Sequence, residues 1–216
     1  MLCTFGSTLL AAASASAEPP PAQTGFQAAL RPGLAIPLGS ASRGVPMSNV
    51  YGLQRSLTLD VGLKPIENLF VGAYLGAGVG GAGSAFDSLC SGASSCSSSS
   101  LRIGVEAQFH FRPARLVNPW VGYGIGFEST SSKQELGPVT ASQNRNGIEF
   151  AHLMAGVDFR VFEVIGVGPY LDFSIAQYGS VSSSSSTQAV QEGSKDIEEK
   201  RIHEWLTVGL KITLLP

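Results

Sequence analysis

The chain has 216 residues, enough for one domain and one closed sheet. Only 14% of the residues are charged and the formal net charge is -2, which excludes the basic footprint of a nucleic-acid-binding surface. The 26 glycines are too many for a helical protein and suit strands whose inner face must be small.

In chain order, residues 1–17 read as a signal peptide: Leu2–Ala13 is largely apolar and Ala15-Ser16-Ala17 is a small-x-small cleavage site. No Lys or Arg precedes the apolar stretch, so either the start is misassigned or the signal is atypical, and Cys3 does not follow a lipobox-like run. A Pro-rich leader, 18–25, follows, and 26–216 reads as one β-domain. Eight segments with a two-residue period fill it: Phe26–Leu38, Leu53–Leu63, Leu69–Gly80, Leu101–Arg112, Trp120–Glu128, Glu149–Val161, Tyr170–Tyr178 and Trp205–Leu214. The fourth shows the pattern plainly. Leu101, Ile103, Val105, Ala107, Phe109 and Phe111 fall on one face, and Arg102, Gly104, Glu106, Gln108, His110 and Arg112 on the other. In a soluble barrel the apolar set would point inward. Here the second set is too charged and too glycine-rich for an ordinary wet exterior, so the expected barrel is inside out, with lipid outside and a polar lumen.

The connections alternate in length. Short turns lie near Lys64–Asn68, Arg112–Pro119 and Phe162–Pro169, and long polar loops near Ser40–Gly52, Gly81–Ser100, Ser129–Gly147 and Gly179–Arg201. This alternation, with both termini on the short-turn side, is outer-membrane barrel topology. The Ser runs Ser97–Ser100 and Ser182–Ser186 read as loop tips. Cys90 and Cys96 are predicted to close a small disulfide in the second long loop; two thiolates without a nearby His are too few for a metal site. Phe111, Trp120, Phe159, Phe162 and Tyr170 gather near the short-turn ends, as in an interfacial belt, although Trp120 and Tyr170 also fit inward packing. A spanning helix over Leu69–Phe86, with its Gly72-x-x-x-Gly76 spacing, is the competing reading of that segment.

These strand phases, notably Ser56–Leu63, Ala155–Val161, Pro169–Tyr178 and Trp205–Leu214, resemble the small eight-stranded outer-membrane barrels of Gram-negative bacteria, similar to the OmpA membrane domain and the opacity-type proteins. The resemblance is architectural and covers most of the mature chain. It departs at the end, Thr213-Leu214-Leu215-Pro216, where such chains usually carry an aromatic residue read by the assembly machinery. It implies an all-β, eight-stranded antiparallel up-and-down transmembrane β-barrel in a bacterial outer membrane, with periplasmic termini and extracellular long loops. The implied partners are outer-membrane lipid, the assembly machinery and an extracellular ligand of the loops; nucleic acid is not among them.

The inward set is charge-balanced: Arg31, Lys64, Arg112, Arg160 and Lys211 with His110, against Asp60, Glu106, Asp158 and Asp172. Eight strands leave a lumen that side chains can fill, so these residues are expected to form a salt-bridged plug. Two alternatives stay open. One is a narrow gated channel in which Glu106 and Arg160 exchange partners; the other is a soluble lipocalin-like ligand-binding barrel. Catalysis has little support, and no cofactor or metal is expected. His110 and His152 face the lumen by phase, His203 reads as exposed at a loop end, and none has the spacing of a barrel deacylase or a zinc helix.

Overall fold

The computed structural model describes residues 24–86, 90, 95–136, 139–186 and 194–216. The predicted signal peptide and most of the leader lie outside these residues. Eight long strands dominate: β1 (Gly25–Ser42), β2 (Tyr51–Ile66), β3 (Leu69–Ala82), β4 (Ser95–His110), β5 (Val117–Leu136), β6 (Val139–Phe162), β7 (Ile165–Ser185) and β8 (Ile202–Leu214). Each pairs antiparallel with its neighbours in sequence, and β8 pairs back onto β1 from Ala28↔Leu214 to Gly39↔His203, which closes the ring. Leu69–Ala82 is a strand, and among the described residues no helix is long and apolar enough to cross a membrane.

The alternation along each strand sorts side chains to opposite sides of the wall. Phe109, Leu153 and Leu210 are exposed on the outside, at 45%, 46% and 56%, while Arg31 and Lys211 are wholly buried inside. Every strand adds to the apolar exterior, from Phe26 in β1 to Leu214 in β8. At about 25 cal/mol per Å², leaving that wall in water would forgo tens of kcal/mol, roughly. Phe111, Phe159 and Phe162 stand on the outside near the short turns, whereas Trp120 and Tyr170 are buried in the lumen.

Lumen glycines and lumen aromatics are complementary. Tyr74 lies where a Cβ on Gly104 or Gly126 would stand, Tyr170 occupies the space beside Gly33 and Gly209, and the Trp120 ring lies against Gly156. The glycine-rich inner rows therefore exist to admit large rings, which fill a tube too narrow for a large side chain from every strand.

The ends differ from the sequence expectation. The turns at Glu67–Asn68 and Glu163–Val164 are tight, as expected, but much of three of the four long loops is strand. Ser97–Ser100 belongs to β4, and Ser182–Ser185 to β7, not to loop tips. β5 and β6 continue as one hairpin to Leu136↔Val139. Serine has weak strand preference, but an inherited register with paired neighbours overrides it. The first long connection holds a two-residue strand at Val45–Pro46 and a single helical turn, α1 (Met47–Val50). The second is clipped by a Cys90–Cys96 disulfide.

Candidate functional site: the ionic lumen

The lumen is organised in three tiers. In the middle tier the β1 guanidinium of Arg31 donates to Asp172 Oδ2 at 2.6 Å and to Asp60 Oδ1 at 2.8 Å, and reaches Glu106 Oε2 at 3.5 Å. One cation thus ties together β1, β2, β4 and β7. Tyr170 donates its hydroxyl to the Arg31 carbonyl at 3.2 Å, and the guanidinium lies over the Tyr170 ring. His152 stands between Glu149 and Asp172, with ring nitrogens 3.8 and 3.4 Å from their oxygens, and Tyr74 donates to Glu149 from across the tube.

Toward the short turns, Lys211 Nζ donates to Gln108 Oε1 at 2.8 Å, lies 3.6 Å from Asp158 and sits 3.7 Å above the centre of the Trp120 ring. Gln108 in turn donates to Glu106 at 2.9 Å, joining this tier to the middle one. His110 shares a 2.8 Å hydrogen bond with Asn118, and Lys64 is buried at the same end.

Toward the long connections, Glu128 is the hub. It accepts from Trp205 Nε1 at 2.9 Å and Tyr178 at 3.1 Å, faces His203 Nε2 at 3.3 Å, and pairs with Arg102 at 3.9 Å. Tyr178 and Tyr51 meet through Thr130, and Arg145 donates to the Tyr51 hydroxyl at 3.0 Å. Met47 and Val50 of α1 pack on Tyr51, Tyr178 and Trp205, so an apolar lid sits over the ionic column. Between the upper and middle tiers a void of about 20 Å³, bordered by Ser56, Arg102, His152 and Asp172, has room for about one water. Ser56 Oγ, Arg102 Nε and Asp172 Oδ1 are buried there without a protein hydrogen bond, the polar lining such a water requires.

Of the residues predicted for the lumen network, Arg31, Asp60, Glu106 and Asp172 meet in one cluster, and His110, Asp158 and Lys211 lie in the tier below it. Arg112 is a correction: it is exposed in the β4–β5 turn, where its backbone N–H donates to Asn118 Oδ1. Arg160 is another. It keeps the inward phase of β6 but stands half-buried at the short-turn mouth, where it donates to the Pro113 carbonyl at 2.9 Å and lies outside the Arg31 cluster. His203 is wholly buried and stacked on Tyr178, not exposed.

The upper tier escapes the sequence pattern for an identifiable reason. β2 is irregular between Tyr51 and Gln54, and β6 between Glu149 and Ala151. Both members of each inward pair, Tyr51 with Gln54 and Glu149 with His152, are buried three residues apart. A β-bulge inserts one residue and flips the alternation beyond it, so a phase carried up from His152 puts Glu149 and Arg145 on the wrong face. No such obstacle hides Glu128 and His203: each is one further step along a phase already legible, from Gly126 and from Trp205.

Among the described residues, no group of three or more His, Cys, Asp or Glu side chains could hold a metal ion.

No family model matches the chain, and no curated protein matches its sequence. Solved structures do match. Neisserial surface protein A aligns with 89% of this chain and 97% of its own, at 12% identity and a TM-score of 0.50. Ail, the attachment invasion locus protein of Yersinia pestis, aligns with 89% and 100%, at 9% identity and 0.51. A major outer membrane protein from Thermus thermophilus aligns with 88% and 99%, at 10% identity and 0.53. The fold is that of the small bacterial outer-membrane β-barrels. At these identities the likeness carries the architecture and leaves the role to the residues.

Proposed function

We propose that this chain is an integral outer-membrane barrel whose lumen is plugged by the Arg31-centred network, with termini periplasmic and the long connections facing outward. Its role is structural or surface-interactive. The observation that carries this reading is the sidedness of the wall: charged side chains are buried inside while Leu, Val, Ile and Phe cover the outside. Lipid is therefore the first partner, and reaching the membrane requires the outer-membrane assembly machinery. The plug is supported by a lumen in which Arg31 holds three carboxylates, Lys211 caps a ring and Met47 and Val50 cover the mouth. The burial of His110, His152 and His203 within the lumen, out of reach of a bulk substrate, supports a non-enzymatic role. The solved complex of Ail with the heparin analogue sucrose octasulfate supports ligand binding by a barrel of this fold.

Fractionation tests the membrane assignment: the chain is expected in outer-membrane fractions and in solution only with detergent. Recovery as a detergent-free soluble protein would instead favour the lipocalin-like reading. Planar bilayers test the plug, where a silent membrane is expected. Discrete conductance steps that change when Glu106 is neutralised would replace the plug with a gated channel.

A further inference from the structure

Strands β4–β7 outrun the barrel. Residues 95–100, 129–136, 139–147 and 179–185 stay paired beyond it and form a four-stranded extension. The register fixes its faces, because directly opposed residues point the same way. Ser132 lies opposite Ser98 and Gln143, Gln134 opposite Cys96 and Ala141, Gln143 opposite Ser183, and Ala141 opposite Ser185. This row continues Glu128 and Thr130, so it looks to the side above the lumen.

A cavity of about 400 Å³ is lined there by Ser132, Gln134, Ala141, Gln143, Ser183 and Ser185 of that row, with Ser142 and Ser184 of the alternate row beside them. Its volume falls within the range of small-molecule sites, about 300–1,000 Å³. Ser132 is 5% exposed and borders it, with no hydrogen bond from its hydroxyl to any described residue.

The cavity is neutral by construction. Lys133 and Glu135 point to the opposite face and pair at 2.6 Å, and hydrogen bonds from Lys133 and Ser95 hold the Glu135 carboxyl below its usual range. Arg145, the cation on the inward row, is 8% exposed and engaged with Tyr51. A nucleic acid or sulfated chain needs cations here and finds none free. A peptide adding as a strand would join the sheet in its plane, at an edge, whereas Ser132, Gln134, Ala141 and Gln143 lie on the face of β5 and β6, which are paired on both sides. An apolar guest would meet Ala141 alone among the six side chains.

What fits is a ligand that is uncharged and dense in hydroxyls. Serine hydroxyls and glutamine amides both donate and accept, and they recur roughly every 4.8 Å from strand to strand. The serine methylenes and the Ala141 methyl offer small apolar contacts to C–H groups between them. We propose that the inward face of this extension binds a neutral glycan. This rests on the reading that the long-connection end lies outside the bilayer.

The test is titration of the purified chain in nanodiscs with chitotriose, maltotriose and lacto-N-tetraose, and with a heparin octasaccharide as the anionic control. At least one neutral sugar is expected to bind with a Kd below about 1 mM. Gln134→Leu and Gln143→Ala, each on the inward row, are expected to weaken it tenfold or more, and Lys133→Ala on the far face to leave it unchanged. Failure of all three neutral sugars to bind overturns the proposal. So does tighter binding of the heparin fragment, or an equal effect of Lys133→Ala. The heat-dependent gel shift of a folded barrel, recorded for every variant, separates loss of the site from loss of the fold. Sugar binding that fails in a barrel still inserted in lipid leaves the membrane reading standing.

Discussion

Arg31 is the residue on which the lumen turns. Three carboxylates, Asp60, Glu106 and Asp172, lie within 3.5 Å of its nitrogens and are themselves buried. Removing one partner of a buried ion cluster leaves the others charged and unsolvated, which costs about 3–5 kcal/mol. Arg31→Met is therefore expected to lower the urea unfolding midpoint of the detergent-refolded barrel by that equivalent. A triple replacement of Arg31, Asp60 and Asp172 by Met, Leu and Leu is expected to recover part of the loss, because no orphan charges remain beyond Glu106. Equal stability of Arg31→Met and the native chain would show that the cluster contributes no net cohesion. A second residue matters for the opposite reason. Tyr123 stands on the outer wall and donates its hydroxyl to the Phe150 carbonyl at 2.8 Å, beside the β6 bulge. Lipid offers that carbonyl no substitute donor. Tyr123→Phe, which keeps the ring and loses the donor, is expected to cost about 1–3 kcal/mol in the same unfolding measurement.

At the scale of the element, the β6 bulge decides which side chains enter the upper tier. Deleting Phe150 removes the extra residue and brings Glu149 and His152 two positions apart, so that one unbroken alternation keeps both inward. This deletion is expected to keep the heat-dependent gel shift, whereas deleting Ala155, which turns Met154 and His152 toward lipid, is expected to abolish it. A folded, full-stability Ala155 deletion would mean that the register can slip without penalty. The same bulges account for part of what the sequence leaves unread, Glu149 and Arg145 above all. Between the bulges and the short turns, a single phase holds from Gln54 to Lys64, from Phe70 to Gly80, from Arg102 to His110 and from Trp120 to Glu128, and strand order and lumen-facing residues follow from it. Extending that phase into the turns misplaces Arg112, because the backbone no longer alternates there, whereas Arg160 holds the phase but ends at the mouth of the lumen. Composition alone makes the serine runs look like loops, because serine carries no apolar stripe to mark a strand. Their strand state comes from pairing with β3, β5 and β6, a contact that no local pattern encodes.

For the whole molecule, the governing variable is depth along the barrel axis. The outer face changes character within single strands: in β5, Val121, Tyr123, Ile125 and Phe127 give way to Ser129, Ser131 and Lys133, and in β4, Phe109, Val105 and Leu101 give way to Ser99 and Ser97. The alternation and the pairing run on through this boundary, so the backbone does not change; the solvent does. Replacing an outward residue by Arg should then cost according to where it stands, about 2–4 kcal/mol at the bilayer midplane and about 0–1 kcal/mol near an interface. Val105→Arg is expected to fall in the first range, Leu101→Arg in the second, and Ser131→Arg, on the extension, to have no effect on the unfolding free energy in lipid vesicles. The inward control, Gly104→Arg, is expected to prevent folding altogether, because Tyr74 already occupies the space beside that backbone. A flat response along β4 and β5 would mean that no hydrocarbon slab surrounds the wall, and the exposed Leu, Val, Ile and Phe side chains would need another cover. A response that peaks at Val105 and vanishes by Ser131 would measure the thickness of that slab directly, and would place the serine-rich extension in water.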